Sequence, residues 1–184
     1  MEKLFGLDIV TEANIDNYNE GGVWSLFGKR KIASDNKWYC LKVASTRCIR
    51  EEIKKDYILL ENKKIDCAET VPYINYFGEM VFSYPEHPTT REYLYTRYIK
   101  ELFEDFKFVV VCVENDINKR KEIERAIAIN TRAIYWRNGR PYKTGDEISF
   151  DKRKDVQNNK EKSDFKLEDR KELHEFLSMF KKQQ

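Results

Sequence analysis

The chain is poor in the residues that carry soft-metal and nucleophile chemistry: its 184 residues hold four cysteines and two histidines. Cys40, Cys48, Cys67 and Cys112 contain no Cys-x-x-Cys pair, and only His87 and His174 could join them, so the spacing of a zinc centre is missing. The thiols read instead as small buried side chains of a reducing compartment. Two histidines far apart in sequence argue against a Ser-His-Asp or Cys-His enzyme, so any hydrolysis must lean on other groups. Long apolar runs are missing too. The longest, Phe108 to Val113, falls far short of the roughly 18 to 20 residues of a membrane helix. Acidic residues interrupt the opening Met1 to Asp8, which does not read as a signal peptide. The expectation is a cytoplasmic protein with no membrane partner. No charge sign dominates: 34 basic against 32 acidic residues leave +2, so bulk electrostatics neither demand nor forbid a nucleic-acid partner, and local clustering must decide.

What is present is a pattern of short aromatic and β-branched runs. Leu4 to Val10 predicts an edge strand or packed arm. Val23 to Gly28 and Trp38 to Ala44, joined by the charged segment 29–36, predict a β-hairpin. Ser45 or Thr46 is placed to cap a helix in which Ile49, Ile53 and Tyr57 recur every four residues, running to about Leu60. Residues 61–105, punctuated by Pro72, Gly78, Pro85 and Pro88, predict a second small hairpin or an irregular insertion, then a helix over about 90–103. Phe106 to Val113 is too short for a buried helix and predicts a central strand. Asp116 is then a candidate N-cap for a helix carrying Ile123, Ile127 and Ile134. The fold class is therefore α/β (α+β), with residues 1–150 as a single domain. Beyond it, 18 of the last 34 residues are charged, and 151–184 reads as a solvated linker followed by an amphipathic helix over about 167–182.

Three constellations could carry chemistry. Between Ile117 and Lys143, eight basic residues (Lys119, Arg120, Lys121, Arg125, Arg132, Arg137, Arg140 and Lys143) face only Glu122 and Glu124, with Tyr135, Trp136 and Tyr142 interleaved. Basic groups neutralise phosphates and aromatics stack on bases, so this pattern suits either a nucleic-acid surface or a solvated helix face over core aromatics. Glu124, among these cations, could hold Mg²⁺ against a phosphate or form a salt bridge with Arg120 or Lys121. In the first unit, alternation puts Trp38, Cys40 and Lys42 on one face and Tyr39, Leu41 and Val43 on the other. A lysine in so apolar a strand either snorkels at an edge or lines a cleft, and Arg47 and Arg50 follow at the start of the helix, where anions are favoured.

In the order of its elements the chain resembles the GIY-YIG endonuclease family over about 22–143, with 61–105 as an insertion. Gly22-Val23-Trp24 stands where Gly-Ile-Tyr would, and Lys42-Val43-Ala44-Ser45 where Tyr-Ile-Gly-Ser would. Cys48-Ile49 opens the helix, Phe106 to Val113 is the third strand, and Lys121 to Ile127 looks like the segment bearing the family's metal-binding glutamate. The resemblance implies a small three-stranded antiparallel sheet flanked by helices, and Mg²⁺-dependent hydrolysis of DNA phosphodiesters. In that scheme Glu124 binds the metal, Lys42 or Tyr39 assists the nucleophile, and Arg47 or Arg50 stabilises charge on the phosphate. Lys119, Lys121, Arg125, Arg132, Arg137, Arg140 and Lys143 would contact nucleic acid, and the insertion and the last helix would set substrate specificity or homodimerisation. The departures are specific: Trp24 and Lys42 replace the two tyrosines, and Glu52 stands near the arginine position. They open a second reading, a catalytically inactive module of nuclease-like fold that binds DNA or a protein partner, as a phage or mobile-element accessory factor would. A PD-(D/E)xK nuclease is disfavoured because Glu114-Asn115-Asp116 lacks the following lysine.

Overall fold

Two β-branched, aromatic strands pair along their whole length and organise the rest of the chain. β3 (Gly22–Arg30) and β4 (Trp38–Thr46) form the antiparallel hairpin, and β7 (Phe103–Val113) lies against the other side of β3. The computed structural model describes residues 2–31, 36–61, 71–74, 80–83, 99–100, 102–136 and 170–184. Before the hairpin come β1 (Lys3–Leu4), β2 (Leu7–Val10) and a single 3₁₀ turn at Ile15–Asn17. After it come α1 (Ile49–Glu61), a separate hairpin of β5 (Val71–Ile74) and β6 (Met80–Ser83), then β7, α2 (Ile117–Thr131), β8 (Tyr135–Trp136) and α3 (Lys171–Lys182). The expected helix over 90–103, the linker after 151, and Arg137, Arg140, Tyr142 and Lys143 lie almost wholly or wholly outside the described residues.

The architecture is α+β; among the described residues it has the three helices named above and a mixed, open six-stranded sheet ordered β1-β2-β7-β3-β4-β8. This corrects the expectation of a three-stranded sheet. The antiparallel trio β7-β3-β4 is there, but local backbone geometry at each end adds strands to it. Phe5 and Gly6 both take positive φ, +52° and +81°, as a two-residue hairpin turn requires, so Leu4 to Val10 folds into two strands and extends the β7 edge. At the opposite edge α2 stops one turn before its apolar period runs out. Arg132 adopts the left-handed conformation (φ 54°), the N–H of Ala133 returns to the carbonyl of Ala128 at 2.9 Å, and the chain re-enters the sheet as β8, parallel to β4. Ile134, expected on the helix, is thereby carried to the opposite side of the sheet.

Each face of the sheet buries its own cluster. α2 and α3 cover one, through Ile123, Ile127, Leu173 and Phe176 over Val23, Val43 and Val109. α1 covers the other, through Ile49 and Ile53 over Trp24, Leu26 and Phe108. Asp116 caps α2 as expected, its carboxylate accepting from the N–H groups of Asn118 (2.8 Å) and Lys119 (3.0 Å). α1 starts differently. Its first donors are taken by the carbonyls of Glu20 (from Ile49, 3.0 Å) and Tyr18 (from Arg50, 2.9 Å), while the hydroxyl of Ser45 points elsewhere. The close crossing of this helix start over β3 explains Gly22: a Cβ there would lie 2.2 Å from the carbonyl oxygen of Cys112 and 2.7 Å from Ile49. α3 is fastened at both ends, by an Arg170–Glu114 ion pair and by Gln183, whose amide donates to the carbonyl of Trp38 at 2.9 Å.

The pairing register of β3 and β4 contains one irregularity. Leu26 faces Lys42 and the next residue, Phe27, faces Cys40, so Leu41 is an extra residue in β4. Such a bulge breaks the two-residue alternation. Cys40 and Val43 face α2 and α3, whereas Leu41 and Lys42 both belong to the α1 side. The expectation that Trp38, Cys40 and Lys42 share a face is corrected accordingly, and Val43 parts from Tyr39 and Leu41.

Two consequences are measurable. Phe176, 1% exposed, packs against Phe5 and Phe27 with ring centroids 6.2 Å from each; Phe176→Ala should lower stability by about 3–5 kcal/mol in a denaturant titration with unchanged m. Burial pushes the Cys40 thiol up to about 12, so at about pH 8 it should resist alkylation in the native protein and react once the chain is unfolded, read by mass spectrometry of labelled peptides.

Candidate functional site

The bulge delivers Lys42 into an apolar layer where a lone ammonium would be very costly to bury. Its Nζ lies 2.7 Å from Oδ2 of Asp56 on α1, and the two residues are 3% and 7% exposed. Trp24 and Tyr135 close over the cation, their ring centroids 5.1 Å and 5.6 Å from Nζ. One helical turn before Asp56, Glu52 accepts a hydrogen bond from Nε1 of Trp24 at 3.3 Å. Trp24, Lys42 and Glu52, the three departures from the family pattern, thus share one cluster, completed by Asp56. The strand brings the cation and the helix brings the carboxylates, the reverse of a strand hydroxyl beside a helix arginine.

Glu124 sits on the other side of the sheet. It is 2% exposed and accepts a hydrogen bond from the Ser45 hydroxyl at 2.6 Å. Ser45 pairs with Val23, whose side chain belongs to the layer under α2 and α3. Lys42 and Glu124, the two groups expected to meet at one phosphate, are therefore separated by the backbone of β4. As a magnesium ligand Glu124 is also poorly placed, since that ion keeps several of its waters and needs an open side, whereas this carboxylate is enclosed and engaged by Ser45. Among the described residues, no three His, Cys, Asp or Glu side chains gather as a metal-holding group.

The remaining candidates disperse. Tyr39 packs edge-on against Phe103 at 5.7 Å, with the Arg30 guanidinium 5.0 Å from its ring. Arg47 is exposed, and Arg50 is half-buried with its guanidinium 3.9 Å from Asp16. On α2, successive residues step by about 100°, which places Lys121 and Arg125 within one narrow stripe; the left-handed Arg132 follows at the C-cap, and all three are half-buried. Exposed Lys119 lies toward the edge of Asn130, whose side-chain oxygen accepts from Lys181 of α3 at 3.2 Å. Arg120 leaves the basic surface altogether: 6% exposed, it donates to the carbonyls of Glu114 and Asn115, 3.1 Å each, at the end of β7.

Sequence reasoning missed Asp56, Ser45 and the structural part of Arg120. The one available signal was the four-residue spacing of Glu52 and Asp56 on the helix that follows a strand lysine. Replacing Lys42 alone should be severe, because it strands a buried carboxylate. Lys42→Met is expected to cost about 3–5 kcal/mol, and Lys42→Met with Asp56→Leu to recover most of that, measured by urea unfolding.

No family model matches the chain, and no curated protein or solved structure gives a significant match to it.

Proposed function

We propose that this protein is a nucleic-acid-binding module, with DNA as its partner, that uses a GIY-YIG-like strand trio as a scaffold without the family's metal-dependent hydrolysis. One observation carries the non-catalytic half of this reading. Lys42 is locked to Asp56 beneath α1 while Glu124 is bonded to Ser45 beneath α2, so a single phosphate cannot touch both. The binding half is supported by Lys121 and Arg125 on α2, by Arg132 at its C-cap, and by Arg137, Arg140 and Lys143, which follow directly in the sequence. Phosphate contacts of this kind confer affinity with little sequence preference.

The test is retardation and fluorescence anisotropy on duplex and single-stranded DNA across salt, alongside cleavage assays with Mg²⁺ or Mn²⁺. Retardation without nicking is expected. Lys121→Gln and Arg125→Gln should each lower the slope of log K against log salt by about one. Metal-dependent nicking that disappears in Glu124→Gln would restore the endonuclease reading. Absence of binding at about 50 mM salt would reduce the basic stripe to a solvated face.

A further inference from the structure

On the α1 side of the sheet, away from the basic stripe, a groove of about 410 Å³ runs between α1 and the segment that follows β2. Its floor is apolar, made by Val10, Ile15, Ile53 and Phe108. Its wall is helix residues that a packed core would normally cover: Tyr57 is 40% exposed and Ile58 64% exposed. Tyr57 and Phe108 stand with ring centroids 6.1 Å apart, tilted by 43°. The rim has one dominant sign. Glu12, Asp16 and Glu61 border the groove with Lys54; Asp16 is held by Lys54 at 2.8 Å and lies 3.9 Å from Arg50, which leaves Glu12 and Glu61 as the negative charge of the rim. The field of these carboxylates reaches the tyrosine: Glu61, first, together with burial and Glu12, holds the Tyr57 hydroxyl above its ordinary range.

An apolar floor, two aromatic rings and a negative rim suit one kind of occupant. We propose that this groove docks a segment of a partner protein that inserts an apolar side chain onto Phe108 and Ile53 and sets a lysine or arginine over Tyr57 between Glu12 and Glu61. Apolar burial supplies the anchor, while the aromatic face and the two carboxylates select the positive charge. The exposure of Ile58 along the groove's wall favours an extended or helical segment over an enclosed small molecule. This docking site is independent of the DNA proposal, because the groove and the stripe of α2 lie on opposite faces of the sheet.

Short synthetic peptides carrying one leucine flanked by arginines or by glutamates provide the test, titrated into the isotopically labelled full chain. The basic peptide should shift the NMR signals of Tyr57, Ile58 and Phe108 saturably. The double variant Glu12→Gln with Glu61→Gln should weaken its binding about tenfold, as should Ile58→Ser, an exposed position at which the fold is not at stake. The proposal is overturned if the acidic peptide binds as tightly as the basic one, if the basic peptide produces no saturable shift, or if the shifted signals fall on α2 and α3 instead.

Discussion

One extra residue in β4 decides what this fold can do. Had Leu41 paired in register, Lys42 would have followed Cys40 onto the face covered by α2, within the same layer as Glu124. The bulge rotates it onto the α1 face, and the ammonium must then find a counter-charge inside an apolar layer. Asp56 supplies it, and the position of Asp56 fixes the rotation of α1, since Ile49, Ile53 and Asp56 must all point at the sheet together. The start of the helix is bound by the same demand: tied to the carbonyls of Glu20 and Tyr18 and pressed onto Gly22, it cannot slide to offer another side chain.

The ion pair is better understood as a register device than as a source of stability. Burying two charges forfeits hydration worth several kcal/mol each, and their attraction at 2.7 Å does little more than restore the balance. A leucine and methionine pair of similar volume would fill the space. What it could not do is penalise a slipped β4, in which the lysine would leave Asp56 buried without its cation and enter the layer where Glu124 is already engaged by Ser45. The Trp24 indole acts in the same sense, because its Nε1 donor reaches Glu52 only when β3 presents position 24 to α1.

The elements were largely legible in the sequence. The hairpin, α1, the strand ending at Val113, the Asp116 cap and the apolar stripe of α3 all follow from periodicity and capping, which are local properties. Three features were not. The bulge leaves no local trace, because Cys40, Leu41 and Lys42 alternate as well as any strand, and only pairing with β3 reveals the extra residue. β8 is two residues long and exists because Arg132 turns left-handed, a backbone event without a glycine to announce it. The site suffered most: Glu52 is a misfit when matched to an arginine, and becomes intelligible only once Trp24 and Lys42 are known to face it. Motif order carries no information about the bulge, and it is the bulge that decides which face each of these polar groups serves.

The net charge of +2 conceals an uneven distribution. On one side of the sheet, Lys121 and Arg125 lie on α2 with Arg132 at its C-cap; on the other, Glu12 and Glu61 rim the groove beside α1. On the proposed reading a polyanion would be drawn to the first side and repelled from the second, so the arrangement that would attract phosphates would also keep them off the groove. A cationic segment experiences the opposite preference. Because the two fields are separated by the thickness of the sheet and both sides carry salt, each acts over roughly a Debye length of 8 to 10 Å and leaves the other little altered. The molecule can therefore present two chemically opposed surfaces at once, and the buried Lys42–Asp56 pair, neutral as a unit, is what allows the wall between them to contain a charge without belonging to either.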